Sequence, residues 1–281
     1  MPELPEVEIV RRDLEKEVVG KKIRAAEVRN TRNAMRIIRR HARRREFEEP
    51  LTGARFTEVS RRGKYLMLRL TQGRVLVAHL GMSGQLILVK TTADIENHTH
   101  VALHLTGGMD LRYVDPRAFG TLFVVTDEEL GDVKELHRLG LDPLEQPLTW
   151  RYFSETLAQR RTKMKSLLMD QRFICGIGNI YSDEILFVSG IRHDRPSDTL
   201  SDQEVRRLYR AIQEVLQEAI RERGTSADDE QYRDLFGMVG GYQKLLRVYQ
   251  REGAACSRCR TAIERARWGN RSTFFCPQCQ V

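Results

Sequence analysis

The chain has 281 residues, enough for two domains with buried cores. Its 47 Lys and Arg exceed its 39 Asp and Glu, a formal charge of +8, and its 41% hydrophobic content excludes a disordered polymer. No apolar run reaches the roughly 18 residues of a membrane helix, and the opening Met1-Pro2-Glu3-Leu4-Pro5-Glu6 is acidic and proline-broken, unlike a secretion signal. The expectation is a protein that neither spans a membrane nor is exported.

In chain order, the first expected element is a helix over residues 3–19. Val7, Val10, Leu14 and Val18 form one stripe and Gly20 closes it. Residues 29–45 then carry eight arginines and no acid. Such a run is either a solvated charged face or a contact for a polyanion, through counterion release at phosphates. Short alternating segments follow around Leu66–Leu70, Val75–Ala78, Val101–Leu105, Leu111–Tyr113 and Leu122–Val125, separated by turns such as Gly107-Gly108. That spacing predicts an antiparallel sandwich or barrel. The polar, proline-containing residues 127–147 read as a linker. Helices are expected at 150–159, 163–170 and 179–189. A longer helix starts at the capping box Ser201/Glu204, buries Val205, Leu208, Ile212, Val215, Leu216, Ala219 and Ile220, and stops by Gly224. Residues 224–253 read as a long loop with one strand near 245–249.

Four of the five cysteines fall in the last 26 residues, as Cys256-x-x-Cys259 and Cys276-x-x-Cys279 with sixteen residues between the pairs. Two such knuckles present four thiolates to one tetrahedral ion, the spacing of a structural zinc ribbon on a β-hairpin. With all four positions filled by protein, the metal holds structure. The remaining Cys175 is expected as a reduced, buried thiol. Residues 251–281 also carry six arginines against Glu252 and Glu264, a second basic cluster.

The opening hexapeptide resembles that of the formamidopyrimidine-DNA glycosylase family, and the resemblance continues in order through nearly the whole chain. It includes Arg61-Arg62-Gly63-Lys64-Tyr65-Leu66, His79-Leu80-Gly81-Met82-Ser83-Gly84 and Asp115-Pro116-Arg117-Ala118-Phe119-Gly120. It goes on through Gly176-Ile177-Gly178-Asn179-Ile180-Tyr181 to Asn270-Arg271-Ser272-Thr273-Phe274-Phe275-Cys276. The resemblance implies an α+β multidomain protein. Residues 1–132 are its β-sandwich catalytic domain with a leading helix, 133–149 a linker, 150–250 a helix–two-turn–helix domain with a lesion-recognition loop, and 251–281 the zinc finger.

It also implies an activity: excision of oxidised purines from double-stranded DNA, followed by cleavage at the abasic site. In the family the initiating Met is removed and the exposed Pro2 amine attacks the sugar, giving a Schiff base that permits β,δ-elimination. Glu3 matches the general acid/base, and Glu6 a sugar contact. Lys64 matches the lysine that binds the flanking phosphate and assists catalysis, and Arg271 the arginine of the finger that grips a phosphate beside the lesion. Because a glycosylase must take the base out of the stack, something must fill the gap. Met82, Arg117 and Phe119 match those insertion residues. The Gly176–Asn179 turn brings backbone N–H groups and Asn179 to phosphate, and His79 and Lys163 are lesser phosphate contacts.

Each residue also has an ordinary reading: Pro2 as a helix start, Glu3 and Glu6 as dipole partners, Lys64 as solvated surface, Met82 and Phe119 as core. Arg117 fits no core. The family's usual Pro-Gly-Tyr-Phe stretch is replaced around Val239-Gly240-Gly241-Tyr242, and Asp228-Asp229-Glu230 make the preceding segment unusually acidic. Two alternatives stay open: an endonuclease VIII-like enzyme for oxidised pyrimidines, which Leu4 and the Arg117/Phe119 pair oppose, and a damaged-DNA binder without catalysis, which the presence of Pro2, Glu3 and Lys64 opposes. A monomeric bacterial cytoplasmic protein acting at the nucleoid, with one zinc and no membrane partner, completes the expectation.

Overall fold

The computed structural model describes residues 2–145, 148–226 and 231–281. The chain divides into two compact units. One takes the chain up to His137 and again Glu222–Gly241; the other comprises Arg138–Arg221 and Tyr242–Val281.

The first unit opens with α1, Leu4–Val18. Glu3 caps it reciprocally: its side chain accepts the backbone N–H of Glu6, while the Glu6 carboxylate accepts the N–H of Glu3 at 2.8 Å. The expected stripe Val7, Val10, Leu14 and Val18 is buried. Eight strands follow: β1 Ile23–Val28, β2 Phe56–Arg62, β3 Tyr65–Leu70, β4 Arg74–His79, β5 Gln85–Lys90, β6 Thr99–Leu105, β7 Met109–Val114 and β8 Thr121–Thr126. They make two four-stranded antiparallel sheets, ordered β1-β6-β7-β5 and β2-β3-β4-β8. Leu66, Leu68, Leu76, Leu86, Leu103, Leu111 and Leu122 share one core with α1. Inside the arginine-rich stretch lie two short helices, α2 Ala34–Ile37 and α3 Arg44–Glu48.

In β4 every residue from Val75 to Ala78 is buried, because the outer face of its sheet is covered as well. The cover is α4 Asp127–Leu130 and α5 Lys134–His137, which bring Val133, Leu130 and Leu136 onto Val75, Val77 and Phe123. The start of the expected linker is therefore structured; its residues 146 and 147 lie outside the described residues. By their contacts Glu222–Gly241 group with the β unit. Tyr232 and Leu235 enter its core, and the Leu235 carbonyl accepts the N–H of Leu88 at 2.9 Å, covering the edge strand β5.

The second unit contains α6 Trp150–Ala158, α7 Met164–Met169, α8 Asn179–Ser189 and α9 Asp202–Arg221. α8 ends at Gly190 in the left-handed region, and α9 starts at the expected box, Ser201 N–H donating to Glu204 at 2.8 Å. The strand expected near 245–249 does not form. Tyr242–Leu245 is a 3-10 turn, and the N–H groups of Arg247, Val248 and Tyr249 all donate to the buried Glu184 carboxylate at 2.9 Å. A side chain of α8 does there what a neighbouring strand would do. The last two strands, β9 Glu264–Trp268 and β10 Arg271–Phe275, form the antiparallel hairpin of the ribbon. Among the described residues no helix is long and apolar enough to cross a membrane.

Candidate functional site

In the first unit the sheet register gathers the expected residues at one end. β2 and β3 are joined by the two-residue turn Gly63-Lys64, with Gly63 at φ +55°. Tyr65 pairs with His79, and His79 with Thr121. Lys64, His79, the Gly81–Gly84 turn that carries Met82 and the Asp115–Gly120 turn that carries Arg117 and Phe119 therefore share that edge.

The N-terminus of α1 is tied to the same hairpin. Glu8 accepts from Arg61 at 3.1 Å, and Arg61 donates to the Gly63 carbonyl at 3.1 Å. Burial pushes the Glu8 carboxyl up, but hydrogen bonds from Arg11, Arg12 and Arg61 outweigh it and hold the group below its ordinary range. This Glu8–Arg61–Gly63 chain fixes the turn bearing Lys64 against the helix bearing Glu3, a link that sequence reasoning missed.

Pro2, Glu3 and Glu6 are buried together at the start of α1. The second Glu6 oxygen accepts the N–H of Thr225 at 2.8 Å. Gly224 stands at φ +80°, and a Cβ there would lie 2.8 Å from Glu6 Oε1, so the close approach requires glycine. Arg223 bridges Asp13 of α1 to Asp234, whose carboxylate also accepts the N–H groups of Phe236 and Met238. The returning segment is thereby clamped onto the helix. The Tyr232 hydroxyl is buried there with no hydrogen-bond partner among the described residues. Met1 and the acidic Asp228-Asp229-Glu230 lie outside the described residues.

His79 is held neutral. Burial, with the charges of Lys64 and Arg39, pushes it down to about 4. Its Nδ1 accepts the N–H of Gly81 at 3.2 Å, which leaves the proton on Nε2 as a donor.

The two turns carrying Met82 and Phe119 are one structure. Asp115 accepts from Ser83 Oγ at 2.6 Å, from Gly120 N–H at 2.8 Å and from the Tyr113 hydroxyl at 3.3 Å. Ser83 Oγ in turn accepts the N–H of Arg117 at 3.2 Å. A Cβ on Gly81 would lie 2.6 Å from the Phe119–Gly120 backbone, so the turns pack main chain on main chain. Met82 and Phe119 are left 37% and 41% exposed, which removes the core-packing alternative for both.

In the second unit Asn179 begins α8 and its side-chain amide donates to the Ser272 carbonyl at 3.1 Å, which uses one of its N–H groups on the ribbon. Lys163 precedes α7, exposed, with Nζ 5.2 Å from the Trp268 ring, and Trp268 pairs with Arg271 across the hairpin. The hairpin is tied to the helices by Asp183, which accepts from Lys165 at 2.8 Å and from Thr273 Oγ1 at 2.5 Å, a buried network with no local sequence signal. Arg271 is exposed on a shallow cavity lined by Arg265, Arg267 and Asn270.

The thiols of Cys256, Cys259, Cys276 and Cys279 all lie within 4.8 Å of one another. Cys256 Sγ accepts the N–H of Arg258, and Cys276 Sγ that of Cys279, both at 3.4 Å. Four converging sulfurs with knuckle N–H···S bonds fit one tetrahedral zinc. Cys175 is buried beside Asp142.

A fold of this order, with charged residues collected at one sheet end and a four-thiolate ribbon following the helices in the chain, has the organisation of a multidomain DNA-repair glycosylase. Family comparison matches the formamidopyrimidine-DNA glycosylase N-terminal domain over residues 1–122 and its H2TH domain over 139–230. The zinc finger found in FPG and IleRS matches over 253–281. The formamidopyrimidine-DNA glycosylase of Heliobacterium modesticaldum is 44% identical over 283 residues, covering 100% of both chains. The MutM (Fpg) structure from Thermus thermophilus superposes with a TM-score of 0.86 at 39% identity, covering 99% of this chain and 98% of that one. The Lactococcus lactis Fpg in complex with abasic-site DNA gives 0.89 at 33%, covering 99% of each. The chain belongs to the formamidopyrimidine-DNA glycosylase family, and its four ribbon cysteines are the ligands of one structural zinc.

Proposed function

We propose that the protein is a bifunctional base-excision repair enzyme that removes oxidised purines from double-stranded DNA and then cleaves the strand. The observation that carries this is the start of α1, where Pro2 and Glu3 are buried beside Glu6, itself held by the N–H groups of Glu3 and Thr225. With Met1 removed, the secondary amine of Pro2 attacks C1′ of the damaged nucleoside. The C1′–N bond breaks and the base leaves with a proton, and the C1′–O4′ bond then opens as the proline nitrogen gives up its own proton and O4′ takes one, leaving an iminium at C1′. The resulting iminium carries a positive charge that acidifies the C2′ proton. Loss of that proton expels the 3′ phosphate by β-elimination, and δ-elimination then expels the 5′ phosphate. Glu3 moves the protons at sugar and base. Glu6, fixed by two backbone donors, orients the sugar.

Lys64, Arg271, Lys163 and Asn179 contact phosphates, and His79 adds a neutral Nε2–H donor. Met82, Arg117 and Phe119 occupy the space vacated by the everted base. Zinc, when bound by its four thiolates, supplies the folding energy of the ribbon and has no open position for chemistry. The protein works as a monomer in the bacterial cytoplasm, on the nucleoid.

Oxidised pyrimidines are the second substrate class to assay. Lactococcus lactis Fpg, with a TM-score of 0.88 against this chain, is described in complex with oxidised-pyrimidine DNA as well as with DNA carrying a benzylated Fapy-dG. The test is borohydride trapping on duplexes carrying an oxidised purine, an oxidised pyrimidine or an abasic site, with peptide mapping of the adduct. The expected adduct is on Pro2, formed fastest with the oxidised purine. An adduct on Lys64, or none, refutes the mechanism, and a faster pyrimidine reaction refutes the substrate class.

A further inference from the structure

The arginine-rich stretch is a folded part of the β unit, not a loose loop. Ala34, Ile37 and Ile38 are fully buried, and Thr31 Oγ1 lies 2.6 Å from His100 Nδ1. The other ring nitrogen of His100 is 2.9 Å from the carbonyl of Asp115, the residue that ties the Met82 and Phe119 turns together. α2 and those turns thus rest on one frame.

On that frame the arginines divide into two sets. Arg29 and Arg40 pair with Glu27 and Glu135, at 3.8 and 2.5 Å, Arg40 also lies 3.8 Å over the Phe123 ring, and Arg44 donates to Asn30. Arg36 is exposed and makes no ion pair among the described residues. Its guanidinium is 5.3 Å from the centre of the exposed Phe119 ring, which Arg117 approaches at 5.0 Å. Arg39, also exposed, adds the charge felt at His79. Like charges brought to one exposed aromatic side chain, with neither Arg36 nor Arg117 in an ion pair among the described residues, repel one another until an anion lies between them.

Resting on the proposed reading as a duplex-binding glycosylase, we infer that Arg36 is a further DNA contact: it grips a backbone phosphate at the step into which Phe119 inserts. A phosphate there neutralises the guanidinium while Phe119 enters the stack. The contact sets the arginine-rich stretch on the phosphate beside the wedge, and it requires no base sequence.

The test uses zinc-loaded full-length protein and a duplex with a tetrahydrofuran abasic analogue, which binds without turnover. Affinity is measured across a salt series for wild type, Arg36→Ala, Arg36→Lys, Phe119→Ala and the Arg36/Phe119 double variant. Arg36→Ala is expected to lose roughly three- to tenfold in affinity and to lower the salt slope by about 0.9, the signature of one phosphate. Arg36→Lys is expected to keep the slope, and the double variant to show the slope change on either Phe119 background. Weaker binding with an unchanged slope would mean that Arg36 only props the Phe119 ring, and unchanged affinity would mean no contact; either overturns the inference. Failure of the wild-type protein to bind the duplex would refute the glycosylase reading itself and this contact with it.

Discussion

Removing the Glu8 charge should cost more than removing Arg61, although the two share one hydrogen bond. In Glu8→Gln the Arg61 guanidinium, 4% exposed, loses the carboxylate to which it donates at 3.1 Å. Breaking a buried pair from that side costs about 3 kcal/mol. In Arg61→Met the Glu8 carboxylate keeps Arg11 and Arg12, at 3.0 and 2.7 Å, whose side chains are 20% and 47% exposed. Those wetter partners hold the cost to roughly 1–2 kcal/mol. For a unit of this size 3 kcal/mol is about 6–12 °C in melting temperature. Both tryptophans, Trp150 and Trp268, lie in the other unit. Calorimetry, or hydrogen exchange on β2–β4 peptides, must therefore follow the loss, since tryptophan fluorescence reports on the other unit. The pH dependence has a definite sign. Glu8 is depressed in the folded state, so its contribution is complete above the ordinary 4.5 and fades as pH falls through the lowered folded value. The Glu8→Gln penalty should shrink over the same range. Equal penalties for the two variants, or a larger one for Arg61→Met, would refute the reasoning.

Cys259→Ser should release zinc and abolish duplex binding while the melting transition of the β unit is kept, checked by metal analysis and calorimetry; normal affinity with zinc retained would contradict the ribbon's role. Gly224→Ala forces a side chain to φ +80° and against Glu6, so it should destabilise by roughly 1–2 kcal/mol and slow base excision more than a distant surface substitution of equal stability cost. His79, neutral down to about 4, should show no imidazole titration above pH 5 by NMR, and it should lower stability as pH falls from about 6.5 towards 4, where the unfolded chain takes up the proton first. His79→Gln, which keeps an N–H donor, should retain more duplex affinity than His79→Leu.

Local patterns were legible wherever one residue type had one physical use. α8 lies between Gly178 and Gly190, α9 follows from Ser201/Glu204 and its apolar stripe, and the four thiols follow from their spacing. The proposed site residues sat in linear motifs, and the sheet register then brought Lys64, His79 and the turns carrying Met82, Arg117 and Phe119 to one edge. What stayed hidden depends on distant partners. Helices α4 and α5 read as linker because Asp127, Glu128 and Glu129 dominate, and only Val133, Leu130 and Leu136 reveal a covering role. Glu8 and Arg61 are 53 positions apart and each reads as surface charge. The N–H groups of residues 247–249 were given a strand partner, whereas a carboxylate of α8 serves them. The arginine-rich stretch gave no sign of which arginines find acids, since Glu135 lies far along the chain.

The return of residues 222–241 to the β unit bears on how the protein is made. The first 137 residues leave the ribosome with both sheets encoded, yet the edge of β5 lacks its cover at Leu235 and Glu6 lacks the N–H of Thr225 until the intervening chain has been synthesised. A nascent chain stalled between those points presents an unpaired strand edge and an unfinished acidic pocket, the features that invite wrong association. Pro2 and Glu6 are thus among the first residues made, and Glu6 is among the last to gain its full set of partners. A half-made chain carries the proposed nucleophile, Pro2, without the Thr225 N–H that holds the neighbouring Glu6.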